Sequence, residues 1–347
     1  MKKNLLIIFG GPSSEYKISL LSASSVISNV DTNLFNIFTV GVTQNGTWLF
    51  TKSSPEDIKT DKWLENPTFN AYLMPNSDKK GILIKTNENY EEILIDVAFP
   101  VMHGKYGEDG VIQGMLEGCG IPYISPGVAS SANCMDKALT KIILNDANIP
   151  QAKSLTFFNT DDINDIVFIA EKTFSYPIFI KPSSTGSSIG ISKATNNEKL
   201  KDGISKAFKY GKKIILEEFI KGREIEIAIL GNDTPLASVC GEILADDGFY
   251  DFDAKYITNT TLQIPAKLSE DTYKKIKTYA IKAYRAVGGK CLSRIDFFVQ
   301  ENGKIILNEI NTIPGFTSIS MYSKLFEYSG IGYTELITKL AFFALED

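Results

Sequence analysis

Leu292–Val299 (LSRIDFFV) and Lys304–Asn311 (KIILNEIN) are two strand-like stretches near the end of the chain, joined by a short polar linker. The linker contains an Asn-Gly pair at positions 302 and 303, which is a strong signal for a two-residue hairpin turn. The two stretches are therefore predicted to form an antiparallel hairpin, and this hairpin indicates most about the fold.

Four polar side chains are predicted to share one face of this hairpin. With residues 302 and 303 as the loop, Asp296 lies opposite Glu309 and Arg294 lies opposite Asn311. They project from the same side because residues two apart in a strand share a face. The other side is mostly apolar and is predicted to face a core, with Ile295, Phe297 and Val299 against Ile306, Asn308 and Ile310.

The polar face of the hairpin predicts a metal site. Two carboxylates directly opposed across a strand pair repel each other, and a bound dication would remove that cost. Asp296, Glu309 and Asn311 offer the hard oxygen ligands that Mg²⁺ prefers. A solvated acidic face is the alternative, but the compact pairing of Arg, Asp, Glu and Asn favours the metal.

The composition sets limits on size and partners. A length of 347 residues predicts two or three domains. The net charge of −5, from 36 basic and 41 acidic residues, gives no electrostatic footprint for nucleic acid or an anionic membrane. Only three arginines occur, Arg223, Arg285 and Arg294, so arginine is not a general surface residue in this chain and each one is a candidate for a specific role.

Cysteines and apolar runs predict a soluble protein of the cytoplasm. The four cysteines are far apart and form no CxxC pair, which argues against a zinc site and for a reducing compartment. The apolar run at residues 4–9 is too short for a signal peptide and is predicted to be a buried first strand. No run approaches transmembrane length.

The order of elements predicts an open parallel sheet at the N-terminus. Strands at residues 4–9, 35–42 and 96–102 alternate with helices. Functional loops cluster at the carboxyl ends of such strands, where Gly10-Gly11 and His103 both lie. Residues 51–92 are polar and are interpreted as a variable excursion with a short hairpin, not as a site.

Two further units follow. Domains are predicted at residues 1–125, 126–221 and 222–347, with a helix at 135–145 and a strand at 176–182 in the second unit.

The strand at 176–182 runs into Lys181–Gly190 (KPSSTGSSIG), a Gly/Ser loop whose backbone amides and hydroxyls suit phosphate oxygens, with a lysine at its start. It is neither a Walker A loop nor a Rossmann fingerprint. Alone it could be a flexible surface loop; with the predicted magnesium site it indicates an enzyme that uses ATP.

The whole chain resembles the D-alanine–D-alanine ligases, and its second and third units resemble an ATP-grasp fold. Seven stretches, in the family's order, carry the resemblance: residues 10–15 (GGPSSE), 103–110 (HGKYGEDG), 135–137 (MDK), 181–190, 249–256 (FYDFDAKY), 293–296 (SRID) and 308–318 (NEINTIPGFTS). The implied fold class is α/β, with an N-terminal open parallel sheet domain followed by two ATP-grasp subdomains. The implied reaction joins two D-alanines with ATP through an acyl phosphate, for peptidoglycan precursors.

The resemblance implies roles for individual residues. Those matching catalytic positions are Glu15, Ser187, Tyr256, Arg294 and Gly315. Those matching substrate-binding positions are His103, Ser320 and Met321. Those matching ATP-binding positions are Lys137, Lys181, Glu217, Phe219, Ile220, Glu224 and Lys255. The implied metal ligands are Asp296, Glu309 and Asn311, for Mg²⁺ or Mn²⁺, with two ions expected. The family also suggests a homodimer formed through the first domain and activation by K⁺.

In that scheme Glu15 holds the ammonium of the first D-alanine, and Tyr256 joins Glu15 and Ser187 in a set that orders a lid. Arg294 and the Gly315 amide stabilise the oxyanion of the tetrahedral intermediate. Two positions depart from the family, with Lys17 where an acid is common and Ile319 where histidine is common.

The second substrate and the class of protein leave alternatives. Related ligases join D-serine or D-lactate to D-alanine; Tyr256 resembles the D-alanine type, and the apolar Met321 suits its methyl group. D-serine enzymes can keep the tyrosine, and the stretch around Gly11 also resembles them. A nucleotide-binding regulator without catalysis and a dehydrogenase suggested by the N-terminal glycines are further rivals.

Overall fold

The computed structural model describes residues 1–75, 78–86, 89–186, 188–244 and 261–346. Within these ranges the chain is a mixed α/β structure with one sheet that contains parallel strands and two that are antiparallel. The predicted α/β class is therefore confirmed. No helix in these ranges is both long enough and apolar enough to cross a bilayer.

The first sheet has a parallel centre and an antiparallel extension. Its strands are β1 (Lys3–Gly10), β2 (Phe35–Val42), β3 (Trp48–Thr51), β4 (Thr68–Leu73), β5 (Gly81–Lys85), β6 (Tyr90–Leu94) and β7 (Val97–Val101). In the order β6-β5-β4-β3-β2-β1-β7, only β1 pairs in parallel, with β2 and β7. The prediction of an open parallel sheet thus holds for the centre. The excursion at 51–92 is more than a short hairpin, because it adds β4, β5 and β6 in antiparallel pairing.

Two loops lie at one edge of this sheet, next to the first helices of the chain. These helices are α1 (Tyr16–Asn29), α2 (Pro55–Lys59) and α3 (Val111–Gly118). The apolar β1 is buried on both faces at its centre, as a central parallel strand requires. Its carboxyl end runs through Gly10 into α1, and β7 ends just before His103, so both loops meet at the carboxyl edge.

The second sheet is antiparallel and carries the Gly/Ser loop. Its strands are β8 (Ser154–Phe158), β9 (Ile178–Pro182), β10 (Ser192–Ala194) and β11 (Lys213–Glu218), in the order β10-β9-β11-β8. Its helices and those before it are α4 (Val128–Met135), α5 (Lys137–Asp146), α6 (Ile163–Thr173) and α7 (Asn197–Ala207). The predicted helix at 135–145 is thus α5, which begins at Lys137 after its cap Asp136, whereas Met135 is the last residue of α4.

The third sheet contains the hairpin with which the sequence analysis began. Its strands are β12 (Arg223–Leu230), β13 (Leu236–Leu244), β14 (Thr261–Gln263), β15 (Leu292–Val299) and β16 (Ile305–Asn311), in the order β14-β13-β12-β15-β16. The helices of this part are α8 (Glu270–Ala286), α9 (Met321–Tyr328) and α10 (Tyr333–Ala344). Each sheet occupies its own stretch of sequence; the domain boundaries at 125 and 221 stay predictions.

The hairpin has the predicted register at its functional end but not at its turn. Asp296 lies opposite Glu309 and Arg294 opposite Asn311, as predicted. The loop, however, has three residues, because the Gln300 amide donates to the Lys304 carbonyl at 2.9 Å. A β-bulge between Asp296 and Phe297 compensates, since it adds one residue to β16. The predicted two-residue turn was wrong.

The bulge also changes which residues of β16 face the core. Phe297 lies opposite Leu307, and Val299 lies opposite Ile305. Ile305 and Leu307 pack with Ile295, Phe297 and Val299 in one buried cluster, against α8. Ile306 and Asn308, which were predicted on this face, instead line a cavity on the other side of the strand.

Truncation of Phe297 should reveal how much of the third sheet's stability comes from this core. The side chain is 1% exposed, on the strand that carries Arg294 and Asp296 on its other face. We expect Phe297→Ala to lower the free energy of unfolding by roughly 3–5 kcal/mol, because a buried ring leaves a cavity. Urea unfolding followed by circular dichroism measures it. Phe168→Ala is the control: that ring is 58% exposed, and the expected change is within about 0.5 kcal/mol. Equal losses in both variants would contradict the assignment of Phe297 to a core.

Candidate active site

Three carboxylates form a row across neighbouring strands of the third sheet. Glu226 on β12 lies opposite Asp296 on β15, which lies opposite Glu309 on β16. Glu226 is 4% exposed and Asp296 is 8% exposed. Because directly opposed residues point to the same face, the sheet concentrates acidic oxygen atoms at one buried place.

Arg294 lies beside this row and contacts two of its members. Its Nε donates to Asp296 Oδ1 and its Nη2 to Asp296 Oδ2, each at 2.8 Å, and Nε is 3.0 Å from Glu226 Oε2. Burial opposes the positive charge, but Asp296 and Glu226 hold the pKa of Arg294 well above its ordinary value. The guanidinium is therefore a permanent cation fixed over the acidic row.

The predicted metal ligands fit a divalent cation. Asn311 Nδ2 lies 2.9 Å from Asp296 Oδ2 and 3.5 Å from Glu309 Oε1, so one small group reaches both carboxylates. A rotation of the amide would present its oxygen to the same place, giving three hard oxygen donors of the kind Mg²⁺ prefers. The set is two carboxylates and an amide; within the described ranges no cluster of three or more His, Cys, Asp or Glu side chains is arranged for an ion.

Lysines form the wall opposite the acidic row. Lys181 Nζ lies 2.6 Å from Glu217 Oε2, and Lys141 Nζ lies 3.0 Å from Glu217 Oε1. Lys137 Nζ donates to the Thr185 carbonyl at 2.6 Å, inside the Gly/Ser loop. Burial would raise the pKa of Glu217, but the two ammonium groups lower it to about 2. Glu217 is thus a buried anion.

Asp136 ties the lysine-bearing helix to the Gly/Ser loop. Its carboxylate accepts from the Ala138 amide at 3.1 Å, which caps α5 at its first turn. The same carboxylate accepts from the Ser183 hydroxyl at 2.6 Å and pairs with Lys213. Asp136 therefore fixes the elements that carry Lys137 and Lys181 relative to each other, although 44 positions separate the two lysines in the sequence.

Two cavities of about 400 and 430 Å³ meet at this place. Residues from both charged groups line both cavities: Lys137, Lys141, Lys181, Glu217, Glu226 and Glu309. The second cavity continues along Phe219, Ile220 and Glu224, three predicted ATP-binding residues. The Phe219 ring stacks on Phe179, with centroids 5.9 Å apart. Apolar side chains at this end and cations at the junction suit a planar base and its phosphates.

The first cavity ends at the predicted amino-acid site. Glu15 and His103 are both buried there. His103 Nε2 lies 3.1 Å from Ser22 Oγ, and its Nδ1 lies 3.5 Å from Glu108 Oε1. Burial opposes the charged imidazole, but Glu108 and Glu15 raise the pKa of His103. Burial also raises the pKa of Glu108, to about 7.

A glycine allows the Glu15 carboxylate to sit in this pocket. A Cβ on Gly104, whose φ is +70°, would come within 2.3 Å of Glu15 Oε2. The glycine that follows His103 therefore leaves space for the acid as well as adopting a left-handed conformation.

Gly315, Ser320 and Met321 lie on the segment after β16, at the rim of the same cavity. The Ser320 hydroxyl accepts from the Thr317 amide at 3.0 Å and marks the start of α9. A Cβ on Gly315 would meet Ser320 Oγ at 3.4 Å, an ordinary contact. Met321 is 8% exposed and packs into the core as much as it lines the cavity.

Three predicted site residues, Ser187, Lys255 and Tyr256, lie outside the described residues, so their roles stay predictions. Sequence reasoning missed Lys141, Glu226 and Glu108. Two had visible signals: Lys141 is one helical turn after Lys137, and Glu226 shares a strand face with Glu224. Glu108 stands inside a stretch that was already singled out.

Comparisons with known proteins agree along the whole chain. The family model described as D-ala D-ala ligase N-terminus matches residues 4–126, and the one described as D-ala D-ala ligase C-terminus matches residues 143–341. A D-alanine–D-alanine ligase from Acetivibrio thermocellus is 46% identical, over 99% of this chain and 96% of the relative.

Solved structures match equally well. The VanG D-Ala:D-Ser ligase from Enterococcus faecalis superposes with a TM-score of 0.89 at 37% identity, covering 99% of this chain and 100% of that one. The D-alanine–D-alanine ligase from Coxiella burnetii gives a TM-score of 0.88 at 32% identity, with coverages of 99% and 94%. On the family models, the close relatives and the shared fold, the chain belongs to the D-alanine–D-alanine ligase family.

Proposed function

We propose that this enzyme joins two molecules of D-alanine at the cost of one ATP, for the synthesis of peptidoglycan precursors. The observation that carries the proposal is the acidic row of Glu226, Asp296 and Glu309, with Arg294 over it and a wall of lysines opposite. This arrangement lies at the junction of two cavities, one suited to a nucleotide and the other to a small zwitterion.

The nucleotide occupies the second cavity. Its base lies between the apolar strands, against Phe219 and Ile220, and Glu224 accepts from the ribose. Lys137 and Lys181 bind the phosphates at the junction, where ammonium groups act as point charges on phosphoryl oxygens. Lys255, which lies outside the described residues, adds a further contact in this proposal.

Asp296, Glu309 and Asn311 would hold Mg²⁺, with Mn²⁺ as an alternative and two ions expected. A bound metal would supply positive charge against the charge that develops on the transferred phosphoryl group. Arg294 contacts both oxygens of Asp296 and keeps that carboxylate in place.

The first D-alanine lies in the first cavity. Glu15 accepts from its ammonium in a charge-assisted hydrogen bond, and His103 lies beside it. Its carboxylate oxygen attacks the γ-phosphorus, the bond to the β-phosphate bridging oxygen breaks, and ADP leaves. The product is an acyl phosphate, which makes the carbonyl carbon a much better electrophile.

The second D-alanine then reacts with its free amine. Nitrogen bonds to the acyl carbon, and the carbonyl becomes an oxyanion. Collapse of this intermediate re-forms the carbonyl and expels phosphate with the electron pair of the broken C–O bond, and the proton lost by the nitrogen leaves on the phosphate. Arg294 and the Gly315 amide donate to the oxyanion, and Ser320 contacts the carboxylate of this second substrate. Tyr256, Ser187 and Glu15 order the lid that keeps water from the acyl phosphate.

Other parts of the reading stay predictions: the homodimer formed through the first domain, activation by K⁺, and a cytoplasmic location. A second candidate, ligation of D-serine to D-alanine, is favoured by the similarity to a solved D-Ala:D-Ser ligase. Met321, apolar and packed at the rim, favours D-alanine.

Phosphate release with single and mixed substrates tests the reaction. D-alanine alone should support ATP-dependent release of phosphate and an equal amount of D-alanyl-D-alanine, detected by mass spectrometry. Adding D-serine or D-lactate to D-alanine should yield less mixed product than dipeptide. If D-alanine alone gives no turnover while D-alanine with D-serine does, the second candidate is correct. If no combination gives turnover, the ligase reading fails.

Arg294→Ala tests the oxyanion role. We expect ligation to fall by about 100-fold or more, because one oxyanion donor contributes roughly that factor, while ATP still binds. Steady-state kinetics and calorimetry with ATP separate the two effects. The control is Arg285→Ala, whose guanidinium donates to the Asp233 carbonyl at an exposed place and whose loss should leave ligation unchanged. Unchanged ligation in Arg294→Ala would refute the assignment.

Gly315→Ala tests close approach of backbone to substrate. The added Cβ meets only Ser320 at ordinary contact distance, so the protein should fold and bind ATP normally. We expect kcat to fall by roughly 10-fold or more, because the methyl group holds the oxyanion away from the amide. Gly332→Ala, where a Cβ meets nothing within 4 Å, should be silent. Full activity in Gly315→Ala would show that this amide does not approach the substrate.

A further inference from the structure

Lys141 is the one member of the lysine wall to which neither the family motifs nor the predicted mechanism assigns a role. Its ammonium lies 3.0 Å from Glu217 Oε1 and donates to the Ala152 carbonyl at 3.1 Å. The side chain is only 13% exposed, and it lines both cavities. A lysine is rarely buried to this extent without a specific counter-charge.

Glu217 takes one ammonium on each carboxylate oxygen. Lys181 reaches Oε2 at 2.6 Å and Lys141 reaches Oε1 at 3.0 Å, from different elements of the fold. Lys181 and Glu217 lie on neighbouring strands, β9 and β11, whereas Lys141 comes from α5. The three groups form a buried triad with two cations and one anion.

The net charge of this triad determines how strongly Lys181 can attract a phosphate. A carboxylate next to bound phosphate repels it, and a lone Lys181–Glu217 pair would be neutral. With Lys141 present, the Glu217 charge is already balanced, so the triad keeps one net positive charge. The low pKa of Glu217 shows that both cations act on the same carboxylate. At these distances and this burial, one charge has a substantial effect on binding.

We propose that Lys141 is a positioning residue for the nucleotide: it neutralises Glu217 and so leaves the charge of Lys181 available to the ATP phosphates. The inference rests on the proposed function, since it takes Lys181 as a phosphate ligand. It predicts that Lys141 contributes to binding of phosphates and not to binding of the nucleoside.

A purely structural role makes a different prediction. If Lys141 only anchored α5 to Ala152 and β11, its loss would shift Lys137 on that helix whatever the charge at position 217, and Glu217→Gln would not restore the binding of ADP. Restoration of the ratio of the ADP and adenosine affinities in the double variant therefore separates the two roles. The ratio also cancels any contact between Glu217 and the base, because both ligands carry the same base and ribose.

The experiment measures dissociation constants of ADP and adenosine by calorimetry, at one fixed Mg²⁺ concentration, on the full chain. Lys141→Met should lower the affinity ratio of ADP to adenosine by about 10-fold or more, because the triad loses its net charge. Lys141→Arg should keep the ratio close to wild type. Lys141→Met combined with Glu217→Gln should restore it, because one uncompensated lysine again faces the phosphates.

Two further variants complete the test. Lys339→Met is the control: this lysine also pairs with a carboxylate, that of Glu335 at 3.4 Å, and it lines neither cavity, so the ratio should stay unchanged. Glu217→Gln alone should raise the ratio, which keeps the proposal testable if Lys141→Met does not fold.

Three results would overturn the inference: an equal loss of both ligands in Lys141→Met, no restoration in the double variant, or an unchanged ratio in Glu217→Gln. These outcomes are independent of the ligase reading, which fails only if the wild-type enzyme makes no dipeptide. A wild-type enzyme that makes dipeptide while the ratio ignores Lys141 would sink the inference and leave the proposed function standing.

Discussion

Repulsion among three neighbouring carboxylates, two of them buried, is the constraint on which the site depends. Glu226, Asp296 and Glu309 lie side by side because β12, β15 and β16 pair in one register. Carboxylates held out of water at neighbouring positions are unfavourable unless cations balance them. Arg294 supplies one cation within the protein. The sheet thus builds a place whose electrostatics favour a metal and, with the lysines opposite, a polyphosphate between the two.

In the lysine wall opposite the acidic row, an anion balances neighbouring cations, the reverse of the arrangement around Arg294. Lys141 and Lys181 converge on Glu217, and Lys137 is fixed through Thr185 in the Gly/Ser loop. Asp136 holds that loop and α5 together. Because the acidic row lies on the third sheet, and the lysines lie on the second sheet and on α5, the junction between the sheets is also the place where the acidic row faces the lysines. A polyphosphate that carries a cation fits there, because the phosphates face the lysines and the cation faces the acidic row.

Much of this could be predicted from local sequence, and the hairpin shows both the reach and the limit of such reasoning. Alternation along two short strands predicted the polar face and the opposition of Asp296 and Glu309. It gave the wrong turn, because an Asn-Gly pair also serves in a three-residue loop. It missed the bulge in β16, because a bulge is selected by the core that Ile305 and Leu307 must reach. The wrong loop length and the missed bulge each change the register by one residue, in opposite directions. The predicted pairing of Asp296 with Glu309 was therefore still correct.

The sequence by itself determined the α/β class, the order of motifs, the family and most members of the candidate site, because these depend on spacing within short stretches. Only the tertiary structure decided which distant residues share a wall. Glu226 joins the acidic row because its strand pairs with that of Asp296, 70 positions later in the chain. Lys141 contacts Glu217, 76 positions later. Such contacts follow from the packing of sheets and helices, and no local pattern of residue types encodes them.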